Sequence, residues 1–214
     1  MVNGSKTYIT NGVRADFVVT AVKTEGGHQG LSFLIIERDS EGFEVSRKLE
    51  KLGWHASDTA ELAFSDVFVP EENLLGQENK GFYLIMANFS WERLLMALGA
   101  VASMGSVLER VVERAGGSSR WRHAVAEMAV KREAARCLTY HALALFTAGH
   151  DAIREVTEAK LLSQRSAFEV ADAAFRILDG DPEMARALRD TRLGPIGGGT
   201  DEVMKEILGR QLGL

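Results

Sequence analysis

The feature that most constrains this chain of 214 residues is a change of sequence pattern near residue 76. Before that point, short runs rich in β-branched and aromatic residues alternate with turns that contain glycine and asparagine. After it, apolar residues recur every three or four positions almost to the end. Strands that follow one another without intervening helices favour an antiparallel sheet. The sequence therefore predicts an α+β fold: an antiparallel β-domain (a partial barrel) over residues 1–76, then a C-terminal helical bundle of the four-helix type over residues 77–214.

The first part is expected to contain short strands separated by turns. They are predicted at residues 6–10, 17–22, 31–36, 43–48 and, as one or two strands, 59–69. The Asn11-Gly12 pair between the first two runs predicts a β-hairpin, because this dipeptide suits the tight turn between paired strands. Residues 25–30 are expected to form a polar, glycine-rich loop, and Pro70 is expected to end the last strand.

The second part is expected to be helical. Helices are predicted over residues 81–112, 121–148, 151–178 and 201–212. Gly116 and Gly117 are suited to end the first of them. The Asp181-Pro182 pair predicts a break and a helix restart, because proline is tolerated in the first turn of a helix.

Glu92 is the most informative residue of the first helix. It follows Phe89 by three positions and precedes Met96 by four, so it falls on the apolar side of the predicted helix. Burial among apolar neighbours would raise the pKa of this carboxyl group and suit it to act as a base near neutral pH. Periodicity alone favours a structural alternative, in which Glu92 pairs with Arg93 or with an arginine of another helix.

Composition excludes several classes of function. With 30 acidic against 25 basic residues, the net charge of -5 and the scattered lysines and arginines argue against nucleic acid and anionic membranes as partners. No apolar run approaches the roughly 20 residues that span a bilayer, so no membrane insertion is expected. The single cysteine, Cys137, the absence of a signal pattern after Met1 and histidines without metal-ligand spacing predict a cytoplasmic protein without a metal site.

Three stretches resemble one known family. They are KTYITNG at residues 6–12, KLGWHASDTAELAFSDVFVPEENLLG at residues 51–76 followed by Gly81-Phe82, and PIGGGTDEVMKEILGR at residues 195–210. In this order, and with ERLLMA at residues 92–97, they resemble the acyl-CoA dehydrogenases, in particular the long-chain and isovaleryl branch. The resemblance implies a β-domain followed by a four-helix bundle, with flavin adenine dinucleotide (FAD) between them. It also implies a homo-oligomer, a dimer or a homotetramer, assembled through the bundle.

The resemblance also implies functional residues. Cofactor contacts are implied for Tyr8, Ile9, Thr10, Thr200, Asp201 and Glu202, and substrate contacts for Tyr83, Ser90, Trp91, Arg93, Gly198 and Gly199. Glu92 matches the catalytic base of the long-chain and isovaleryl branch, whereas other branches place the base where this chain has Gly198. Tyrosine and threonine offer a stacking face and a hydroxyl donor, although an ordinary strand would use the same residues. Likewise, the two glycines suit a loop that needs positive φ before a helix.

The chemistry implied by the resemblance is the α,β-dehydrogenation of an acyl-CoA thioester in fatty acid metabolism. A base removes the proton next to the thioester carbonyl, and the flavin of this oxidoreductase takes the β-hydride. An electron-transfer flavoprotein would then accept the electrons. An acyl-CoA oxidase shares all of these residues, so this alternative stays open.

The chain departs from the family pattern at three places. Members carry a helical domain before the KTYITNG strand. An arginine, phenylalanine, glycine and glutamine segment of the family is shortened here to AGGSSRWRHAV at residues 115–125, and Arg176, Asp179 and Gly180 stand where glutamine and two glycines are expected. Two hypotheses follow. The chain is a dehydrogenase that needs the N-terminal part to be supplied, or it is a non-catalytic scaffold or partner subunit that keeps the bundle.

Overall fold

The structure, a computed structural model, describes residues 1–25 and 30–214. The predicted glycine-rich loop at residues 25–30, which includes His28, lies largely outside them. The described chain divides into two compact units, Met1–Ala87 and Asn88–Leu214. The boundary between the units falls within the long helix that begins at Gly81.

Antiparallel sheets make up the first unit. Its strands are β1 (Val2–Thr10), β2 (Phe17–Lys23), β3 (Leu31–Glu37), β4 (Phe43–Lys48), β5 (Thr59–Val67) and the two-residue β6 (Leu74–Leu75). The described strands form two three-stranded sheets, one in the order β1-β5-β4 and the other in the order β2-β3-β6. The predicted α+β class with an antiparallel β-domain is therefore confirmed, and the sheets are open.

The hairpin predicted at Asn11-Gly12 is wrong. β1 pairs with β5 and β2 pairs with β3, so the two strands that flank this turn belong to different sheets. Only Asn11 has a positive φ, of 61°, whereas the tight hairpin turn needs a positive φ at both residues. Gly12 serves close packing instead, because a Cβ there would lie 2.9 Å from the Cβ of Ala60.

Asp58 anchors this turn. The amide of Asn11 donates to the Asp58 carbonyl at 3.0 Å, and the amide of Val13 donates to Asp58 Oδ1 at 2.8 Å. Arg14 Nε lies 2.6 Å from the other carboxylate oxygen. The turn is thus fixed by a residue that is more than forty positions away, which is information that a local dipeptide pattern does not contain.

Helices follow the predicted pattern closely. They are α1 (Gly81–Ala115), α2 (Arg122–Thr147), α3 (Ile153–Ile177), α4 (Pro182–Asp190) and α5 (Asp201–Gln211). α1 ends at Gly116 and Gly117, which have φ of 58° and 76°. Asp181 caps α4 by accepting the amides of Glu183 and Met184, with Pro182 in the first turn as expected.

The core of the second unit is built from small and sulfur-containing side chains. One buried cluster combines Met104 of α1, Met128 of α2, Val170 of α3 and Met184 of α4 with several alanines. A second cluster surrounds Leu94. Alanines at the contacts allow helix backbones to approach closely, and the methionines fill the remaining gaps.

The expectation that no segment is apolar enough to cross a membrane needs correction. Within the described residues, α1 contains an 18-residue stretch with a mean hydropathy of 1.5, and its 35 residues are long enough to span a bilayer. Of that stretch, 39% is buried inside this chain. The core helix of a bundle has the same composition, and α1 supplies residues to both buried clusters.

Candidate functional site

β1 exposes an aromatic ring and a hydroxyl group through a β-bulge. Lys6 pairs with Leu62 and Ile9 pairs with Ala60, so two residues of β1 oppose the single residue between these partners on β5. The second of the two is Tyr8, which has a φ of 60° and is 78% exposed. Ile9 packs against the β-domain core, whereas Tyr8 and Thr10 are exposed.

This edge of the sheet suits a flat ring with polar edges. β1 is the outer strand of its sheet, Tyr8 offers a free ring face, and the Thr10 hydroxyl has no hydrogen-bond partner within residues 1–25 and 30–214. The side chain of Ile9 is occupied by core packing. Of the three residues predicted to contact the cofactor here, the structure therefore leaves two side chains available.

In the second unit, the segment before α5 is a glycine loop, Gly197-Gly198-Gly199. Gly198 and Gly199 have φ of 63° and 99°, which confirms the structural alternative for these residues. A Cβ on Gly198 would overlap the sulfur of Met96, and one on Gly199 would lie 2.6 Å from Met204 Cε. At position 198 a residue other than glycine would be strained by the positive φ, and its Cβ would displace the flexible side chain of Met96.

Buried cations hold two successive carbonyl groups of this loop. Arg93 Nε of α1 donates to the Gly198 carbonyl at 3.2 Å, and Lys160 Nζ of α3 donates to the Gly199 carbonyl at 2.7 Å. Arg93 is 6% exposed and Lys160 is 0% exposed. Burial lowers the pKa of both side chains, and the nearby carboxylate of Asp201 partly offsets this effect on the pKa of Lys160.

Asp201 is the counter-charge of this cluster. Its carboxylate is 2.7 Å from Arg165 Nε and 3.8 Å from Lys160 Nζ. Asp201 is only 6% exposed, and its carboxylate is held by cations of the bundle. Of the other predicted cofactor residues at this end, Thr200 caps α5 by accepting the Val203 amide, and Glu202 is exposed.

Lys160 and Arg165 were missed by the sequence analysis. Lys160 lies four positions after Val156 and seven before Ala167, both of which are buried on α3. The helical periodicity that places Glu92 on an apolar face therefore also places the charged side chain of Lys160 on one. Arg165 carries no such signal, because it is partly exposed and is identified only by its contact with Asp201.

Glu92 is exposed, and the expectation that it is enclosed by apolar side chains is wrong. The side of α1 that is buried at this level carries Leu94 and Ala97. Phe89 and Leu95, which share the side of Glu92, are themselves 41% and 47% exposed. The first half of α1 is apolar on more than one side, so periodicity identified an apolar surface that the described residues leave exposed.

The contacts of Glu92 and Arg93 also differ from the expected ion pair. Glu92 Oε1 accepts a hydrogen bond from Asn88 Nδ2 at 2.7 Å, one turn earlier on α1. The guanidinium of Arg93 lies over the Phe89 ring at 5.2 Å and donates to the Gly198 carbonyl. Arg93 is therefore buried against the loop and the Phe89 ring, whereas Glu92 is exposed.

The remaining predicted substrate residues lie along the first half of α1. Tyr83 is exposed and belongs to the first unit. Trp91 stacks on Phe146 of α2 with ring centroids 5.7 Å apart, and Ser90 is half-buried.

No group of three histidine, cysteine or acidic side chains that could hold a metal ion occurs within the described residues.

Comparison with known proteins identifies both parts of the chain. A family model described as "Acyl-CoA dehydrogenase, middle domain" matches residues 1–67, and one described as "Acyl-CoA dehydrogenase, C-terminal domain" matches residues 79–213. An acyl-CoA dehydrogenase of Bacillus subtilis is 35% identical over 229 aligned residues, covering 99% of this chain and 60% of the relative. The mitochondrial isovaleryl-CoA dehydrogenase of Pongo abelii is 33% identical, covering 98% of this chain and 54% of its own length.

Solved structures agree with these matches. A crystal structure of a probable acyl-CoA dehydrogenase from Mycobacterium abscessus superposes with a TM-score of 0.95 at 43% identity, covering 98% of this chain and 60% of that chain. The FAD complex of PigA superposes with a TM-score of 0.93 at 27% identity, covering 99% of this chain and 60% of that chain. The present chain thus spans a little over half of the length of these proteins.

Proposed function

The chain belongs to the acyl-CoA dehydrogenase family, and we propose that it supplies the flavin-binding and thioester-binding parts of an FAD-dependent acyl-CoA dehydrogenase. The reaction is the α,β-dehydrogenation of an acyl-CoA thioester. The exposed Tyr8 ring and Thr10 hydroxyl fit FAD, and a solved relative, PigA, was determined as an FAD complex. FAD, when bound, supplies an acceptor for the β-hydride of the substrate.

The assignment of the catalytic base depends on a comparison of Glu92 with Gly198. Gly198 carries no side chain that could act as a base, and its positive φ suits glycine. Glu92, by contrast, presents a carboxylate on an exposed apolar surface, and the Asn88 amide orients one of its oxygens at 2.7 Å. We therefore assign the removal of the α-proton to Glu92.

The apolar surface around Glu92 suits this role. An acyl chain bound across Phe89 and Leu95 would exclude water from the carboxylate, and a desolvated carboxylate is a stronger base. Arg93 and Lys160 hold the carbonyls of the glycine loop and so keep this segment fixed at the thioester end. Water exclusion, orientation of the base and a rigid loop are the contributions that this chain makes to the reaction.

The partners proposed for the active protein are an acyl-CoA substrate, an electron-transfer flavoprotein and further copies of the chain. Large apolar side chains on the outer faces of α2 and α5 support self-association, among them Val130, Tyr140 and Val203, which are 69%, 52% and 49% exposed. Such surfaces are common where bundles assemble into oligomers.

A non-catalytic scaffold remains the second candidate, and the junction between α3 and α4 favours it. Arg176, which stands where the family pattern has a glutamine, pairs with Asp172 at 2.8 Å. Asp181, at the same junction, forms an ion pair with Arg110, in which Oδ2 and Nη2 are 3.0 Å apart. In this alternative the chain keeps the bundle for association and binds no flavin.

A titration with FAD separates the two candidates. The chain is expected to take up flavin, seen as a change in its visible spectrum, and Tyr8→Ala should weaken flavin affinity by up to about tenfold because a stacking face is lost. Tyr140→Ala removes another exposed tyrosine, from α2, and should leave the affinity unchanged. A chain that stays colourless after excess FAD and gel filtration contradicts the dehydrogenase proposal and supports the scaffold.

A further inference from the structure

We infer that Lys160 is a positioning residue, whose ammonium group fixes the glycine loop before α5 in one conformation by holding the Gly199 carbonyl. The inference concerns the loop that the proposed function places at the thioester end of the substrate, and it rests on that proposal for its role in the reaction.

The first argument is how completely the ammonium group is committed to the loop. Lys160 Nζ is 2.7 Å from the Gly199 oxygen, whereas it is 3.8 Å from Asp201 Oδ1, beyond hydrogen-bond distance. Arg165 supplies the close partner of Asp201 at 2.7 Å. Arg165 thus supplies the hydrogen-bonded partner of Asp201, whereas Lys160, which is fully buried, makes its short hydrogen bond to the backbone and only a longer ion pair with Asp201.

The second argument is that two cations hold two successive peptide groups. Arg93 reaches the Gly198 carbonyl from α1, and Lys160 reaches the Gly199 carbonyl from α3. The C=O and N–H of a trans peptide point in opposite directions, so the amides of Gly199 and Thr200 point away from the two cations. Neither amide donates a hydrogen bond to any described residue. The two side chains therefore set the direction of two donors that a ligand can use.

The third argument is that the loop needs an external constraint. Glycine loses more conformational freedom on ordering than any other residue, and three glycines are consecutive here. Lys160 lies next to the buried residues Val156 and Ala159 of α3. Burying its charge there costs folding free energy unless the ammonium group is hydrogen-bonded or paired, and an apolar side chain would fill the same space without that cost. The hydrogen bond from Lys160 to the Gly199 carbonyl explains why a charged side chain lies in this core.

Hydrogen exchange of the loop amides tests the inference without any flavin. The Asp201 amide donates to the Pro195 carbonyl at 2.9 Å and closes the loop. In Lys160→Met, which keeps the length of the side chain, exchange at Asp201 should accelerate about 10- to 100-fold, the equivalent of one lost charged hydrogen bond. Exchange at Val170, in the middle of α3, should stay unchanged. Equal protection of Asp201 in the variant and the parent overturns the inference.

Two further variants separate positioning from charge balance and from a general loss of stability. Lys131→Met removes a lysine of α2 that pairs with Glu169 outside the loop, and it should leave Asp201 exchange unchanged. Lys160→Met combined with Asp201→Asn removes both members of the 3.8 Å ion pair, so the charge balance between these two residues no longer contributes. Fast exchange at the loop in this double variant supports positioning, whereas restored protection shows that Lys160 only balances Asp201 and overturns the inference.

The reaction provides an independent readout. In the flavin-loaded chain, Lys160→Met should lower kcat with acyl-CoA about tenfold or more while changing KM less than threefold, because a displaced loop misaligns the thioester more than it weakens binding. A parallel rise in KM at constant kcat would contradict positioning. If the parent chain binds no flavin at all, the proposed function fails, but the exchange experiment still decides the role of Lys160.

Discussion

Gly199 adopts a φ of 99°, a conformation that other residues rarely accept, and its α-carbon faces Met204. Gly199→Ala should therefore lower the free energy of unfolding by about 1–3 kcal/mol, through backbone strain and the overlap with Met204 Cε. Thermal or urea unfolding of the two proteins measures the difference.

Gly209→Ala is the matched control. Gly209 lies within α5, its φ is not positive, and a Cβ there would meet no atom within 4 Å. Alanine at this position should raise the free energy of unfolding by about 0.5–1 kcal/mol through helix propensity. Loss of stability at position 209 as large as that at position 199 would contradict the steric account of Gly199.

Single residues were predicted unevenly from the sequence. The glycines before α5 were recognised as a loop with positive φ, because few other residues tolerate that conformation. Glu92 was expected to be buried and is exposed, since periodicity identifies an apolar side of a helix but not what covers it. Lys160, a charge that is truly enclosed, went unnoticed although the same argument applies to it.

At the scale of elements, the α3–α4 junction joins a helix cap to an ion pair. Asp181 caps α4 and is bonded by Arg110 Nε at 3.1 Å. Burial alone would raise the pKa of Asp181, but the hydrogen bonds from the Met184 amide and from Arg110 outweigh it and lower this pKa below its ordinary value. The charged carboxylate therefore favours the folded state.

This lowered pKa determines how the folding stability changes with pH. Asp181 contributes stability that is fully present above the pKa of the unfolded chain, about 4, and is lost as the pH falls through the lower pKa of the folded state. Asp181→Asn should unfold at a lower temperature than the parent at pH 7, and the difference should shrink below about pH 4. Melting curves between pH 3 and pH 7 measure this.

Asp179→Asn serves as the control for that series, because Asp179 is exposed and lies two positions earlier in the same junction. It should melt like the parent at every pH. If the melting temperatures of Asp181→Asn and the parent differ as much at pH 3 as at pH 7, the stabilising effect of the cap does not depend on the ionised carboxylate, and the prediction is wrong.

Elements with a local signal were predicted well, and pairings between distant strands were not. The bounds of β4 and the end of α1 at two glycines follow directly from alternation and from C-terminal signals. The partner of β1 is β5, about 50 positions away, and Asn11-Gly12 gave no indication of it. Strand partners depend on tertiary packing, such as the anchoring of this turn by Asp58.

At the scale of the whole molecule, the order of a β-domain and a helical bundle was predictable from the change of pattern near residue 76. Which residues the proposed reaction combines was not predictable from such patterns, because Tyr8 and Thr10 belong to the first unit and Glu92, Lys160 and Asp201 to the second. Only the family resemblance grouped residues of both units. Physical patterns within one element identify strand edges, caps and buried charges, but they do not assign residues of separate units to one reaction.

The most direct test of the proposed function is the anaerobic bleaching of bound flavin by acyl-CoA, compared between the parent chain, Glu92→Gln and Glu109→Gln. Glu109 is an exposed acid on the same helix, so its variant controls for the loss of a charge on α1. We predict that the parent and Glu109→Gln bleach. Glu92→Gln should keep its flavin but bleach at least about 100-fold more slowly, because the base is lost. Bleaching of Glu92→Gln at the rate of the parent would contradict the account.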